Sequence, residues 1–257
     1  RVLGRTSDAE RYEQLAQEVL TAVRAEYFDD AGHCTIQTQT AQVLAIYFGL
    51  APDESIAAAD LIQLLDANGG YLTTGFVGTA YLCLALSQVG RHDYAYRLLL
   101  NEEIPSWLYE VNMGATTIWE RWNSVLPDGS LSDTGMNSLN HYTYGAVVEW
   151  IYRVVCGLEP VESAPGWASA RIVPTPDRRL GSARAEFTSP YGLYVSGWAY
   201  TADELVYEVR IPNGATATFD ADLPGDYTIN GQPITHSGGP AGHPLTAGSY
   251  EIRCASE

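Results

Sequence analysis

The chain has 257 residues, 46% of them hydrophobic and 18% charged, enough apolar material for one or two packed domains and too much for a disordered segment. Its net charge of -17 opposes binding to nucleic acid or to an anionic membrane surface and leaves a neutral substrate such as a carbohydrate as the better match. No stretch approaches the roughly 20 apolar residues that cross a bilayer, and Arg1-Val2-Leu3-Gly4 lacks the apolar core of a secretory signal. The chain therefore reads as a soluble protein whose compartment stays open, with the cytoplasm favoured.

From Ser7 to Gly157 the periodicity is helical. Tyr12, Leu15, Ala16, Val19 and Val23 recur at three- and four-residue steps, forming one apolar stripe, and Ser7 with Glu10 has the spacing of a capping box. Further helices are predicted over Gln39 to Phe48, Ser55 to Ala67, Val77 to Val89 and Asp93 to Leu100, with Gly49, Asn68-Gly69-Gly70 and Gly90 closing the first three. Between Ile104 and Leu139 the periodicity fails, and Pro105, Gly114, Pro127-Asp128-Gly129 and Gly135 predict a long structured loop. A loop of that length inside a helical core is expected to form part of a site. The last helix is predicted over His141 to Cys156.

After Pro160 the pattern changes to short runs separated by Pro and Gly turns. Examples are Ala170 to Val173, Ala183 to Phe187, Leu193 to Trp198, Leu205 to Ile211 and Ala215 to Phe219, as expected of an antiparallel β-sandwich. The fold expected is a layered helical domain over residues 1–160 followed by a sandwich over residues 161–257. Tyr191, Tyr194, Trp198, Tyr200 and Tyr207 in the second part read as sandwich core rather than as a sugar-binding surface.

Cys34, Cys83, Cys156 and Cys254 are scattered singly and read as free, mostly buried thiols. His33 and His92 lack metal-ligand spacing and read as surface histidines. Nothing in the residues points to an organic cofactor or a metal.

The chemistry concentrates in Gly114-Ala115-Thr116-Thr117-Ile118-Trp119-Glu120-Arg121-Trp122 and Asn137-Ser138-Leu139-Asn140-His141-Tyr142. A carboxylate acting as general base must stay ionised and reach a water beside the bond to be broken. Glu120 is a candidate, with Trp119 and Trp122 as stacking surfaces for a sugar and Arg121 as a donor to the carboxylate or to a substrate hydroxyl. The same residues also read as core tryptophans and a structural Glu120–Arg121 ion pair, and His141 as a hydrogen-bonded residue at a helix start. Thr74, Phe76, Trp107 and Tyr142 are weaker pocket candidates, Phe76 and Trp107 being natural core residues too.

Together with Thr74 to Thr79, Ala95 to Leu100, Pro105-Ser106-Trp107-Leu108-Tyr109, Gly135 to Ser138 and Tyr144-Gly145-Ala146-Val147, these blocks closely resemble, in order, the C-terminal part of bacterial α-L-rhamnosidases of glycoside hydrolase family 78. The resemblance runs from about Glu10 to the end of the chain. It implies part of an (α/α)6 barrel followed by a C-terminal β-sandwich, and removal of terminal α-L-rhamnose from glycosides with inversion. It also implies Glu120 as general base and His141 as a residue lining the sugar subsite, with Trp107, Trp119, Arg121 and Trp122 around them. The block that carries the family's general acid, of the form Asp-Cys-Pro-Gln-Arg-Asp-Glu-Arg, has no counterpart here; Asp8-Ala9-Glu10-Arg11 does not resemble it. The expectation is a C-terminal portion whose exposed helix faces favour self-association or pairing with the part that holds the acid. The alternative is a non-catalytic or carbohydrate-binding piece in which Glu120 only contacts sugar.

Overall fold

The structure, a computed structural model, describes residues 2–133, 135–221, 223, 226–234 and 242–255. It divides into two compact units, Arg1–Ala146 and Val147–Glu257.

The first unit is helical: α1 (Thr6–Tyr27), α2 (Gln39–Tyr47), α3 (Glu54–Ala67), α4 (Phe76–Gln88), α5 (His92–Leu99) and α6 (Trp107–Asn112), closed by a 3₁₀ turn over Thr143–Ala146. α4 lies at its centre, packed against α2, α5 and the 3₁₀ turn, and it buries Leu82, Cys83, Leu84, Ala85 and Leu86. Apolar residues on several faces suit a helix enclosed by others. Gly78 lets α4 start close to its neighbours: a Cβ there would stand 2.5 Å from Thr40 Oγ1 and 2.8 Å from Thr74 Cγ2. Gln39 stitches α2 to the next loop, its amide nitrogen donating to the Tyr71 carbonyl at 3.0 Å and its oxygen accepting from the Thr73 amide at 2.7 Å. Asp53 caps α3 by accepting from the Ser55 amide at 2.8 Å.

Three local expectations are corrected. α1 begins at Thr6, so Ser7 lies within its first turn; no side chain caps the helix, and the Arg5–Asp8 ion pair at 2.7 Å places charge there instead of a capping box. The segment expected to be loop after Ile104 contains α6, capped by Ser106 Oγ accepting from the Tyr109 amide at 3.0 Å. The last helix starts at Thr143 rather than His141, because the His141 amide is already bonded to the Ile118 carbonyl at 2.8 Å.

α1 differs from the other helices in burying none of its residues, and Tyr12, Leu15 and Val19 are 59%, 50% and 52% exposed. The predicted apolar stripe is present and uncovered among the described residues.

The second unit opens with α7 (Val147–Trp150) and a π turn over Ile151–Val155, then forms two sheets. β1 (Leu158–Pro160), β2 (Ser169–Ile172), β6 (Thr216–Phe219) and β9 (His243–Leu245) make one. β3 (Ser182–Ser189), β4 (Gly192–Tyr200), β5 (Glu204–Ile211), β10 (Gly248–Ala255), β7 (Tyr227–Ile229) and β8 (Gln232–Ile234) make the other, in that spatial order. The larger sheet is antiparallel throughout, but β2 pairs with β6 in parallel, since the intervening chain crosses to the other sheet and back. Along β5, Leu205, Tyr207, Val209 and Ile211 are buried and alternate with more accessible residues, which sets the register of the inner face. Tyr207 meets Phe219 of the smaller sheet edge to face at 5.2 Å. Tyr194 and Trp198 are also buried, with Tyr194 Oη donating to the Trp167 carbonyl at 2.7 Å and Trp198 Nε1 to the Val155 carbonyl at 2.7 Å. All four cysteines are free and buried.

Candidate active site

The two chemistry-bearing segments are clasped together by their backbones. The Glu120 amide donates to the Ser138 carbonyl at 2.9 Å, the His141 amide donates to the Ile118 carbonyl at 2.8 Å, and Thr117 Oγ1 donates to the Leu139 carbonyl. A second set of bonds holds the turn beyond Glu120. Ser124 Oγ donates to Asn137 Oδ1 at 2.6 Å and accepts from the Arg121 amide at 3.1 Å, and Asn137 Nδ2 donates to the Ser124 carbonyl at 3.1 Å. Residues far apart in sequence thus present Glu120 and His141 from one paired loop.

An aromatic floor supports the clasp. Trp122 stacks on Tyr144 at 4.0 Å between ring centres and meets Trp107 edge to face at 5.3 Å. Trp107 Nε1 donates to the Tyr144 carbonyl at 2.9 Å, locking α6 to the 3₁₀ turn. Phe76, at the start of α4, stacks on His141 at 4.8 Å and also touches Tyr144 at 5.0 Å. Tyr142 stacks on the His141 ring as well and is otherwise exposed.

Glu120 and Arg121 are both half-buried, and among the described residues neither forms an ion pair; Arg121 Nε donates to the Met136 carbonyl at 3.2 Å instead. The structural ion pair weighed above is thus not formed. Trp107 and Trp119 are 6% and 4% exposed and so are buried, whereas Trp122 and His141 are half-buried. Thr74 is buried with its hydroxyl bonded to Thr79 Oγ1 at 2.7 Å, and Phe76 is partly exposed.

Glu110 is not among the residues the sequence marks out. It is 2% exposed on α6, Oε2 accepts from the Trp119 amide at 3.2 Å, and Oε1 has no partner among the described residues. Burial pushes its carboxyl up to about 7, against the smaller opposing pull of the Trp119 amide. One signal was available: Glu110 follows Trp107 by three residues, the spacing that places both on one helix face. Reading the segment as loop hid it. Trp122 Nε1 and His141 Nδ1 are likewise buried without partners among the described residues.

Outside the loop, His33 is exposed and bonded to Asp60, Nδ1 to Oδ2 at 2.9 Å. His92, expected at the surface, is the first residue of α5 and half-buried, with Nδ1 3.1 Å from Ser87 Oγ. Among the described residues no group of three or more His, Cys, Asp or Glu side chains is arranged to hold a metal ion, and no helix is long and apolar enough to cross a membrane.

Comparison with known proteins places this geometry in a family. Residues 1–155 match the bacterial alpha-L-rhamnosidase 6 hairpin glycosidase domain, and residues 157–232 match the bacterial alpha-L-rhamnosidase C-terminal domain. An alpha-L-rhamnosidase of Alteromonas sp. (strain LOR) is 38% identical over 261 residues, covering 98% of this chain and 27% of that protein. One from Streptomyces avermitilis is 37% identical, covering 86% of this chain and 21% of the relative. The chain therefore spans about a quarter of the length of the curated relatives it matches. Among solved structures, the Streptomyces avermitilis alpha-L-rhamnosidase complexed with L-rhamnose aligns with a TM-score of 0.85 and 34% identity over 95% of this chain and 24% of its own. The Aspergillus terreus enzyme aligns with a TM-score of 0.85 and 32% identity over 98% of this chain and 28% of its own. The chain belongs to the bacterial α-L-rhamnosidase family, of which it carries six-hairpin glycosidase sequence followed by the C-terminal domain.

Proposed function

We propose that this chain supplies the base side of an inverting glycosidase that removes terminal α-L-rhamnose from glycosides, with Glu120 as general base. The observation that carries this reading is the clasp: it fixes the Glu120 backbone while the half-buried side chain stays free of any ion pair among the described residues, and Trp122, two residues on, stacks on Tyr144. A base needs that combination of fixed position and uncommitted lone pairs. His141 and Trp122 are the sugar-facing candidates, since both are half-buried members of the two clasped segments. Arg121 remains a donor toward a substrate hydroxyl, and the buried Trp107 packs edge to face against Trp122, with Trp119 buried beside Tyr109. The likeness to a structure holding L-rhamnose supports the choice of sugar.

Inversion needs a second carboxyl about 6.5–9.5 Å from the base, leaving room for the attacking water. We assign that acid to a segment outside these 257 residues, with residues 1–160 as the helical catalytic portion and 161–257 as the sandwich. The uncovered stripe of α1 supports pairing with such a segment or with a second copy.

The test is Glu120→Gln in the chain complemented with an acid-bearing segment. Turnover of an aryl α-L-rhamnoside is expected to fall about 10²–10⁴-fold while rhamnose binding persists. Lost binding with unchanged turnover would instead favour a sugar-contacting role.

A further inference from the structure

Glu110 is an ionisable residue spent in the protein interior without an ion pair among the described residues, which calls for a reason. A carboxylate placed among aromatic rings loses its hydration, and an interior position of that kind is ordinarily filled by an apolar residue. Its surroundings include the Trp119 amide from the loop and Tyr144 on the 3₁₀ turn, whose phenol feels both Glu110 and Arg121. Among the described residues, the one hydrogen bond its carboxylate makes is with the backbone amide of Trp119, the residue directly before the proposed base.

We propose that Glu110 is a positioning residue for Glu120: by holding the Trp119 amide from beneath, it fixes the backbone from which the base projects. The proposal rests on the reading of Glu120 as general base. Two anchors then flank that base, Glu110 on the preceding amide and the Ser138 carbonyl on the amide of Glu120 itself. Small displacements of a reacting group cost large factors in rate, so an anchor one residue away has leverage without touching substrate.

The anchor also changes strength with pH. An ionised carboxylate accepts a hydrogen bond about twice as strong as a neutral acid does, and the carboxyl titrates at about 7. Near neutrality the loop therefore has a firmly held and a loosely held form. Tyr144 is the titratable group coupled to it, and since burial first and Glu110 second raise that phenol above its ordinary 10, it stays neutral through this range.

The experiment follows the ¹⁵N–¹H resonance of the Trp119 amide from pH 5.5 to 8.5 in the 257-residue chain, beside Glu110→Gln. The wild-type resonance is expected to titrate with a midpoint near 7, and that of Glu110→Gln to lose this step. In the complemented enzyme, kcat for wild type is expected to rise about three- to tenfold through the same interval, and Glu110→Gln to lose that rise with KM unchanged within about twofold. A wild-type Trp119 resonance that does not titrate overturns the proposal without reference to any variant, as does an identical titration in Glu110→Gln. The two readings fail separately. Turnover surviving in Glu120→Gln removes the base assignment but leaves the Trp119 titration standing, whereas a silent Trp119 amide with an inactive Glu120→Gln removes only the role of Glu110.

Discussion

Ser124 and Asn137 are bonded to each other twice, Ser124 Oγ donating to Asn137 Oδ1 at 2.6 Å and Asn137 Nδ2 donating to the Ser124 carbonyl at 3.1 Å. Because Ser124 is fully buried and its hydroxyl also receives the Arg121 amide, this pair closes the turn that follows Glu120.

Asn137→Ala removes both bonds and leaves the buried Ser124 hydroxyl without its acceptor. The expected cost is about 1–3 kcal/mol of stability, read from urea unfolding of the purified chain. Unchanged stability together with an unchanged Arg121 amide signal would show that the turn is held by other contacts.

Glu110→Gln has a stability signature distinct from its effect on the loop. The carboxyl titrates at about 7 in the fold against 4.5 without burial, so between those values the native state binds the proton more tightly than the unfolded chain does. Stability from this group is therefore greatest at low pH, falls as pH rises to about 7, and is level above that. The neutral amide avoids the loss: relative to wild type, Glu110→Gln should gain about 1–3 kcal/mol on going from pH 5 to pH 8. Melting temperatures of both proteins at the two pH values decide it, and parallel shifts contradict the burial of a charge.

The His33–Asp60 pair predicts a second pH dependence. The hydrogen bond to Asp60, followed by its charge, raises the histidine above its ordinary 6.5. The pair's contribution is thus fully present below 6.5 and disappears as pH rises through the raised value. His33→Gln should lower the melting temperature at pH 5.5 and have less effect at pH 8.5; an equal effect at both would mean that charge plays no part.

The thiols should be inert in the folded chain. Burial pushes Cys83 up to about 12 and Cys156 up to about 11, and Cys34 and Cys254 are buried as well. A thiolate reagent at pH 8 is expected to label the native chain at least about a hundredfold more slowly than the unfolded one. All four cysteines should react in guanidinium. Rapid labelling of any of them in native conditions would show that its surroundings open readily.

Much of the fold was legible because its helices are amphipathic or wholly apolar and are punctuated by glycine; α2 to α5 agree with their predicted spans to within a residue at each end. α6 was not, because six residues between Pro105 and Gly114 are too short to establish a period. Its stability comes from burying Trp107 and Tyr109. The parallel β2–β6 pair was hidden for a different reason: alternation reveals a strand's faces but not its partner. In the loop, Glu120 and His141 stood out by residue type and by family resemblance. The Glu110–Trp119 contact did not, because it joins an unrecognised helix to a segment without periodicity.

The 22 residues of α1, about 33 Å at the helical rise, contribute nothing to the core, and the helix is fastened at its C-terminal end. There Arg24 reaches the carbonyls of Leu50 and Ala51, both at 2.9 Å, and the 28–34 bridge follows. A rod pinned at one end takes its direction from whatever lies along its length. The amides of α1 are thus a built-in gauge of assembly, exchanging with solvent early while the stripe is bare and late once a partner surface covers Tyr12, Leu15 and Val19.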